Sequence, residues 1–280
     1  MIDIGVITGS GIYELPADRE LRVVESRFGE AEVAVFRVGP WTVGGISRHG
    51  RGHHHLPHTI PHRANLVGLK RLGARAVLAT TTVGVVDSSM PLGRPIVFDD
   101  LFFPENRLPG GEPCTIFTEP GDPERGHLIG TEPFSPSLRR KMELAAEDLG
   151  IEVTLGGVYA HTNGPRFETR AEIRALGTVG VAAVSQTCGP EAILAGELKL
   201  SYGLVGFPVN CATGVAELES KEELDRLLSL SAKVLPRLVL RTVEVLEERS
   251  HLRPCVRLPF LGRYSLMPAW FADLRKGNLC

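Results

Sequence analysis

The stretch "VAAVSQTCGPEAILAGELKLSYGLVGFPVN", residues 181–210, is the clearest guide to the fold. An apolar run leads into a Gly-Pro break, then a segment of helical character, then a second apolar run. Nearly continuous apolar runs are typical of strands that are buried on both faces of a sheet. Strand 151–161 and helix 169–180 come directly before this stretch. The sequence therefore predicts strands that alternate with helices through the second half of the chain.

The first half is richer in strands, and helices appear at intervals. The predicted strands are 2–8, 32–38, 41–46, 74–84 and 95–102, and the predicted helices elsewhere are 64–73, 135–150 and 220–250, the last with a kink at Pro236. This order favours an α/β fold, a single domain with a central mixed β-sheet flanked by helices. Residues 1–250 form that domain, and residues 251–280 are a C-terminal extension that acts as a packing arm or an interaction segment.

Composition argues against several classes of protein. The 280 residues carry a net charge of −2 and only 6% aromatic residues, without a basic block, so we expect no nucleic acid partner. Apolar runs stay below the 18 or so residues of a membrane span, and the N-terminus lacks a positive leader. The five cysteines are odd in number and include no C-x-x-C pair, which argues against disulfides and zinc ribbons. We expect a cytoplasmic protein.

Two stretches near the N-terminus favour anion binding. "TGSG", 8–11, offers backbone N–H groups in a glycine turn and the Ser10 hydroxyl. "SRHGRGHHHLPHTIPHR", 47–63, holds six of the nine histidines together with three arginines, and arginine binds phosphate through a fixed fork of donors. A metal site is the first alternative, but neighbouring arginines repel cations and no acid completes a ligand set. A solvated loop that is merely rich in histidine is the second.

Three later junctions between elements are also polar. They are "TTTVG" at 80–84, "SQTCGPE" at 185–191 and "PVNCATG" at 208–214. In α/β sheets, ligands gather beyond the carboxyl ends of the strands. We expect the threonines of the first junction to offer hydroxyls and free N–H groups in a turn.

"HTNGPRFETRAE", 161–172, places the acid Glu168 behind a Gly-Pro turn and an aromatic residue. An acid in the first turn of a helix is favoured by the helix dipole. The alternative is that Glu168 points into a pocket and holds a ligand.

Taken together, "VITGSG", "SRHGRGH", "TTTVG", "NGPRFETRAE" and "TCGPEAILAGEL" match one family in order and spacing. From about residue 3 to 250, the chain resembles the trimeric purine nucleoside phosphorylase and methylthioadenosine phosphorylase superfamily, and most closely its 6-oxopurine branch. The resemblance implies a pentosyltransferase of purine salvage with a nucleoside phosphorylase-like catalytic domain. It implies no cofactor and no metal, because inorganic phosphate is the co-substrate.

In that reaction phosphate attacks C1′ of the ribose while the purine leaves, through a transition state with oxocarbenium character. The resemblance assigns phosphate binding to Ser10, Arg48, His49, His53, Thr81, Thr82 and Thr187. It assigns catalysis to Asn210, Glu168 and His49.

For the substrate, the resemblance places the purine against Phe167, Glu168 and Asn210, and the ribose against Gln186. Glu168 accepts from the N1–H of a 6-oxopurine, and the Asn210 amide donates to O6 or N7. The methylthioadenosine branch usually has Ser and Asp at these two positions. Both residues therefore favour hypoxanthine or guanine over adenine. Gln186 departs from the family, which usually has Met there.

The 5′ end of the substrate would lie against Leu224 and Leu228 of the last long helix, and against His127 of a neighbouring subunit. The two leucines serve equally well as ordinary core residues. If they form a pocket, 5′-methylthioinosine is accepted beside inosine. A homotrimer, or a dimer of trimers, follows from the resemblance alone.

Three other functions stay open at this point. A methylthioadenosine phosphorylase would have to satisfy Glu168 and Asn210 in another way. A non-catalytic nucleoside-binding protein of the same fold would explain Gln186 and the unusual histidine run. A metal-binding, histidine-rich module is the third.

Overall fold

A computed structural model describes residues 1–9, 18–128, 132–217 and 219–247, and the backbone of 257–259. The predictions for Ser10 and for nearly all of the 251–280 extension fall outside these residues. The boundary at residue 250 therefore stays a prediction.

The described residues contain thirteen strands. In chain order they are β1 Ile4–Thr8, β2 Glu20–Ser26, β3 Gly29–Val38, β4 Trp41–Ser47, β5 Ala76–Val85, β6 Ile96–Val97, β7 Asp100–Phe102, β8 Gly126–Leu128, β9 Thr154–Leu155, β10 Val158–His161, β11 Val181–Ser185, β12 Ser201–Cys211 and β13 Arg257–Pro259. Eleven of them form one mixed sheet, with the order β2-β3-β4-β1-β5-β11-β10-β7 along its main path. β12 pairs with β5 and β6, and β9 pairs with β6, while β8 and β13 form a separate pair.

Five α-helices and two short 3-10 turns (Arg51–His53 and Pro57–Thr59) complete the described fold. The helices are α1 His62–Arg71, α2 Pro136–Leu149, α3 Arg170–Thr178, α4 Cys188–Glu197 and α5 Lys221–Glu244. Local sequence explains their ends. Gly150 stops α2 in a left-handed conformation, with φ of 63°. Thr169 and Glu172 form a reciprocal capping box at the start of α3.

The sheet is packed on both faces, and β5 shows how. Its side chains alternate: Val77 and Ala79 join the core cluster that includes α1 and α4. Ala76 and Leu78 join the cluster that includes α2 and α5. Two-sided burial explains why β5 is almost wholly apolar in sequence. A third, smaller cluster packs α3 against β10 and β11.

The predicted α/β fold with a mixed sheet is confirmed, with differences in detail. Segment 95–102 forms two short strands, β6 and β7, and segment 151–161 forms β9 and β10. Gly156 and Gly157 separate the latter pair at φ of 82° and 130°, where glycine is strongly favoured. β2 was not predicted, because it lies at an edge of the sheet and exposes apolar Leu21 and Val23 together with polar residues, so it lacks a buried apolar pattern. Of the helices described, none has the length and apolarity to cross a bilayer.

Candidate functional site

The candidate site lies around the middle of β5. β1 and β4 run parallel to each other and end side by side, with Thr8 opposite Ser47. On the other side, β11 runs antiparallel to β5, and Val184 is paired with Gly84. The site therefore forms where strands of opposite direction meet. The expectation that Thr81 and Thr82 lie in a turn with free N–H groups is wrong, because β5 continues through them to Val85.

Gly9 follows β1 and approaches β5 closely. Its amide donates to the Thr80 hydroxyl, at 3.3 Å. A Cβ at this position would lie 2.7 Å from Nη1 of Arg48 and 3.0 Å from the Thr80 carbonyl oxygen. Only glycine fits there without displacing one of these groups.

Arg48 is buried in an ion pair with Glu191. Its Nε and Nη2 donate to the two carboxylate oxygens at 2.7 and 2.9 Å, and Nη1 donates to the Thr80 carbonyl at 2.6 Å. Nη2 also lies 3.5 Å from Sγ of Cys188. A guanidinium has five N–H groups, so one remains, on the Nη1 nitrogen beside Gly9. That N–H can donate to an anion.

Glu191 is the partner that sequence reasoning missed. Burial raises the pKa of a carboxyl group, but the Arg48 charge and hydrogen bonds from Arg48 outweigh burial and lower the pKa of Glu191. Tyr202 donates its hydroxyl to Oε2 at 2.7 Å. The available signal was the acid Glu191 within "PEAILAG", 190–196, which is otherwise apolar. Such an acid requires a buried partner.

His49 is held in one tautomer. Its Nδ1 lies 2.8 Å from the carbonyl oxygen of His55. A carbonyl only accepts, so Nδ1 carries the proton, and in the neutral ring Nε2 is an acceptor. Burial, followed by the charge of Arg48, lowers the pKa of His49 to about 4. The His53 ring stacks on it with centroids 4.2 Å apart, so the structure brings these two predicted residues together.

Thr81 and Thr187 also converge on this place. The Thr81 hydroxyl lies 3.2 Å from that of Ser185, in the strand end that leads to Thr187. Thr187 occupies the N-cap of α4, yet its side chain makes no capping hydrogen bond and lies 3.5 Å from Sγ of Cys188. The Tyr159 hydroxyl accepts from the Cys188 amide at 3.2 Å, and a helix N-terminus next to Arg48 suits an anion.

The segment after β10 carries the predicted base contacts. β10 and β11 are parallel, with His161 opposite Ser185, so the chain leaves both strands at the same place. Glu168 is buried and accepts a hydrogen bond from the Thr162 hydroxyl. Phe167 is 79% exposed in the isolated chain, which leaves its ring open to a ligand.

Asn210 lies where β12 passes β5. The register shifts between Pro208 and Asn210, which pair with Val83 and Gly84 respectively, so Val209 is the extra residue of a bulge. Bulges redirect side chains and are frequent beside active sites. The Asn210 amide donates one N–H to the Cys211 carbonyl at 2.8 Å. Its second N–H and its Oδ1 remain for a ligand.

Leu224, Leu228 and His127 are the residues predicted to contact the 5′ end of the substrate. Leu224 and Leu228 are half-buried and pack against the core cluster of α2 and α5, as ordinary core residues do. His127 is exposed on β8. The adjacent Leu128 packs on Gly196, at the end of α4 opposite Thr187. The chain's own His127 is therefore away from this site, and its role across a subunit contact stays a prediction.

The other histidines of the 47–63 stretch do not act together. His54 and His58 are exposed, whereas His62 is buried with its Nδ1 3.9 Å from Glu191. Burial lowers the pKa of His62 to about 4. Among the residues that the structure describes, no three His, Cys, Asp or Glu side chains are grouped as a metal site would require.

The chain belongs to the phosphorylase superfamily, whose model matches residues 3–244. The resemblance read from the five motifs, and the prediction of an enzyme of this family, are confirmed.

Individual relatives agree with this assignment. A 6-oxopurine nucleoside phosphorylase from Pyrococcus furiosus is 34% identical over 250 residues, which cover 87% of this chain and 92% of the relative. A probable S-methyl-5′-thioinosine phosphorylase from Methanopyrus kandleri is 38% identical over 242 residues, covering 85% and 90%. A crystal structure of a methylthioadenosine phosphorylase from an antarctic soil metagenomic library has a TM-score of 0.79 at 23% identity, covering 88% of this chain and 86% of that one. At 23% identity, the similarity to this crystal structure shows the fold alone.

Proposed function

We propose that this protein cleaves purine nucleosides with inorganic phosphate, preferring 6-oxopurines such as hypoxanthine and guanine. The products are the free base and ribose 1-phosphate, or 5-methylthioribose 1-phosphate from a methylthio substrate. The observation that carries the proposal is a pair of side chains that suit a 6-oxopurine: a buried Glu168 held by Thr162, and Asn210 beside a bulge. Relatives named for 6-oxopurine and methylthioinosine substrates support the same preference.

Phosphate would bind between the remaining N–H of Arg48, His49, Thr81 and the N-terminus of α4 at Thr187. One phosphate oxygen forms a bond to C1′ of the ribose as the C1′–N9 bond breaks. The electron pair of that bond moves onto the purine. The phosphate dianion beside the ribose stabilises the positive charge that develops on the sugar.

Glu168 and Asn210 would act on the departing base. The Glu168 carboxylate accepts from the N1–H that only a 6-oxopurine carries. The free N–H of Asn210 donates to N7 or O6, where negative charge accumulates as the base leaves. A 6-aminopurine offers an unprotonated N1, which would face the Glu168 carboxylate without a proton between them.

The family's other properties complete the proposal. The protein would need no cofactor or metal, would act in the cytoplasm, and would assemble as a homotrimer or a dimer of trimers. Leu224 and Leu228, with His127 of a neighbouring subunit, would then decide whether a 5′-methylthio group is accepted.

The test is base release from inosine, guanosine, 5′-methylthioinosine and 5′-methylthioadenosine, each with and without phosphate. The proposal predicts that release requires phosphate and that the three 6-oxopurine substrates exceed 5′-methylthioadenosine in kcat/KM. Faster release from 5′-methylthioadenosine would contradict the base preference. Absence of release from all four would favour the non-catalytic binding protein.

A further inference from the structure

Gln186 connects the two halves of the candidate site. It lies between β11 and α4, directly before Thr187. Its Nε2 donates to the carbonyl oxygen of Arg166 at 2.8 Å. Its Oε1 lies against Gly164, since a Cβ on Gly164 would be only 2.1 Å from that oxygen. The Gln186 amide therefore fills the inner side of the Gly164–Arg166 turn.

Most other side-chain bonds of this segment are made to residues close to it in the chain. Thr162 bonds to Glu168, and the Arg166 guanidinium bonds to Glu172 at 2.7 and 2.9 Å. The Thr162 amide donates to the Ser185 carbonyl at 3.2 Å, so β11 fixes the start of the segment, and these other contacts shape the part that follows. Asn163 bonds to Glu105, but at an exposed position. The Gln186 bond joins two segments. The donor Gln186 directly precedes Thr187, and the acceptor Arg166 directly precedes Phe167.

We propose that Gln186 is a positioning residue that fixes the base-recognition segment, 163–168, at a set distance from the phosphate site. It acts through Glu168 and Phe167 and not through the ribose. This inference rests on the proposed function. Because Phe167 is exposed, few contacts of its own hold that part of the segment in place, and the Gln186 amide supplies one.

The first variant is Gln186→Met, which keeps the side-chain length and removes the amide. We expect kcat/KM for inosine to fall roughly three- to tenfold, the range that loss of one hydrogen bond gives. We expect KM for phosphate and the melting temperature to remain as in the wild type. Hydrogen exchange at the amides of residues 166–168 should accelerate.

The second variant disturbs the same contact from the opposite side. Gly164→Ala would push against Gln186 Oε1, and the φ of Gly164 is outside the positive range that disfavours alanine. It should reproduce the kinetic effect of Gln186→Met. Gly177→Ala in α3 is the matched control, because a Cβ there meets only Val86 at 3.8 Å. In Gly164→Ala/Gln186→Ala the clash is gone, so the double variant should equal Gln186→Ala alone.

A double-mutant cycle separates positioning from a general structural role. If Gln186 acts through Glu168, Gln186→Met should cost little further activity on inosine in a Glu168→Gln background. Additive effects of Gln186→Met and Glu168→Gln on kcat/KM would overturn the inference. So would an unchanged kcat/KM for inosine in Gln186→Met, or a rise in the KM for phosphate as large as the fall in kcat/KM. Wild-type inactivity on every nucleoside would instead defeat the proposed function. Unaltered hydrogen exchange at 166–168 in Gln186→Met would then reject the positioning role separately.

Discussion

At the residue scale, burial and the charge of Arg48 together set the protonation of several side chains at the candidate site. Arg48 and Glu191 hold each other in the interior with side chains 0% and 1% exposed. His62 lies beside them, and neither of its ring nitrogens has a hydrogen-bond partner among the described residues. The sequence indicated Arg48 by its place in "SRHGRGH", but its partner is 143 positions away in the chain. The Arg48–Glu191 pairing follows from the topology of the sheet, and a local sequence pattern does not predict that topology.

Glu191→Gln should lower the free energy of unfolding by about 3–5 kcal/mol, because it leaves the Arg48 charge buried without its counter-ion. Urea denaturation of the two proteins at pH 7 measures the difference. Glu20→Gln is the matched control, since Glu20 meets Arg22 at the same 2.7 Å but on the surface. That control should unfold like the wild type. Equal effects from the two substitutions would show that burial of the Arg48 pair is unimportant.

His62→Phe should flatten the pH dependence of stability. The pKa of His62 is about 4 in the folded protein, and that of an unfolded histidine is about 6.5. Neutral His62 therefore contributes stability above about pH 6.5, and this is lost as the pH falls toward 4. Removing it should reduce the slope of the unfolding free energy in that window by up to about 1.4 kcal/mol per pH unit.

Denaturation at pH 7.5, 6, 5 and 4.5, at one protein concentration, provides the slopes. His49 and His161 also have lowered pKa values, so some slope should persist in His62→Phe. A slope equal to that of the wild type would mean that His62 is protonated alike in the folded and unfolded chain. Arg48, Glu191 and His161 are the charged or titratable groups that act on His62.

At the element scale, helices with clear signals were predicted best. The Ser135 and Gly150 limits of α2 and the start of α3 agree with the structure. Gly150 and the Thr169 cap are local chemistry, whereas the Ser135 side chain makes no capping hydrogen bond. The strand interruption at Gly156 and Gly157 was harder to see, since it depends on pairing: β9 pairs with β6, whereas β10 pairs with β7 and β11. The bulge at Val209 is a further case: it exists only relative to the register of β5, so "PVNCATG" alone could not indicate it.

Thr169→Ala should destabilise α3 by about 1 kcal/mol, because the Thr169 hydroxyl caps the Glu172 amide. Since the cap follows Glu168 directly, hydrogen exchange at residues 167–172 should accelerate as well. Thr178→Ala is the control at the opposite end of α3, where the hydroxyl only donates to the local Ala175 carbonyl. If the amides of residues 167–172 exchange at the same rate in both variants, the Thr169 cap does not hold the base-recognition segment in place.

At the scale of the whole molecule, strands of opposite direction meet at β5 and bring the residues of the candidate site to it. β1 and β4 bring Gly9 and Arg48, β11 brings Thr187, and β12 brings Asn210. The sequence predicted these junctions as a set by their resemblance to one family, and the fold explains why they belong together. It also shows what the sequence left out: the Arg48 network, the tautomer of His49 and the Gln186 contact all depend on distances between separate segments.

The most direct test of this account is the ratio of kcat/KM for inosine to that for 5′-methylthioadenosine, measured in the wild type and in Glu168→Gln. We predict a ratio well above one in the wild type. It should fall about tenfold or more in Glu168→Gln, because the amide bonds N1–H less strongly than a carboxylate and can donate to an unprotonated N1. KM for phosphate should stay constant. A wild-type ratio below one, or a ratio that Glu168→Gln leaves unchanged, would contradict the role assigned to Glu168.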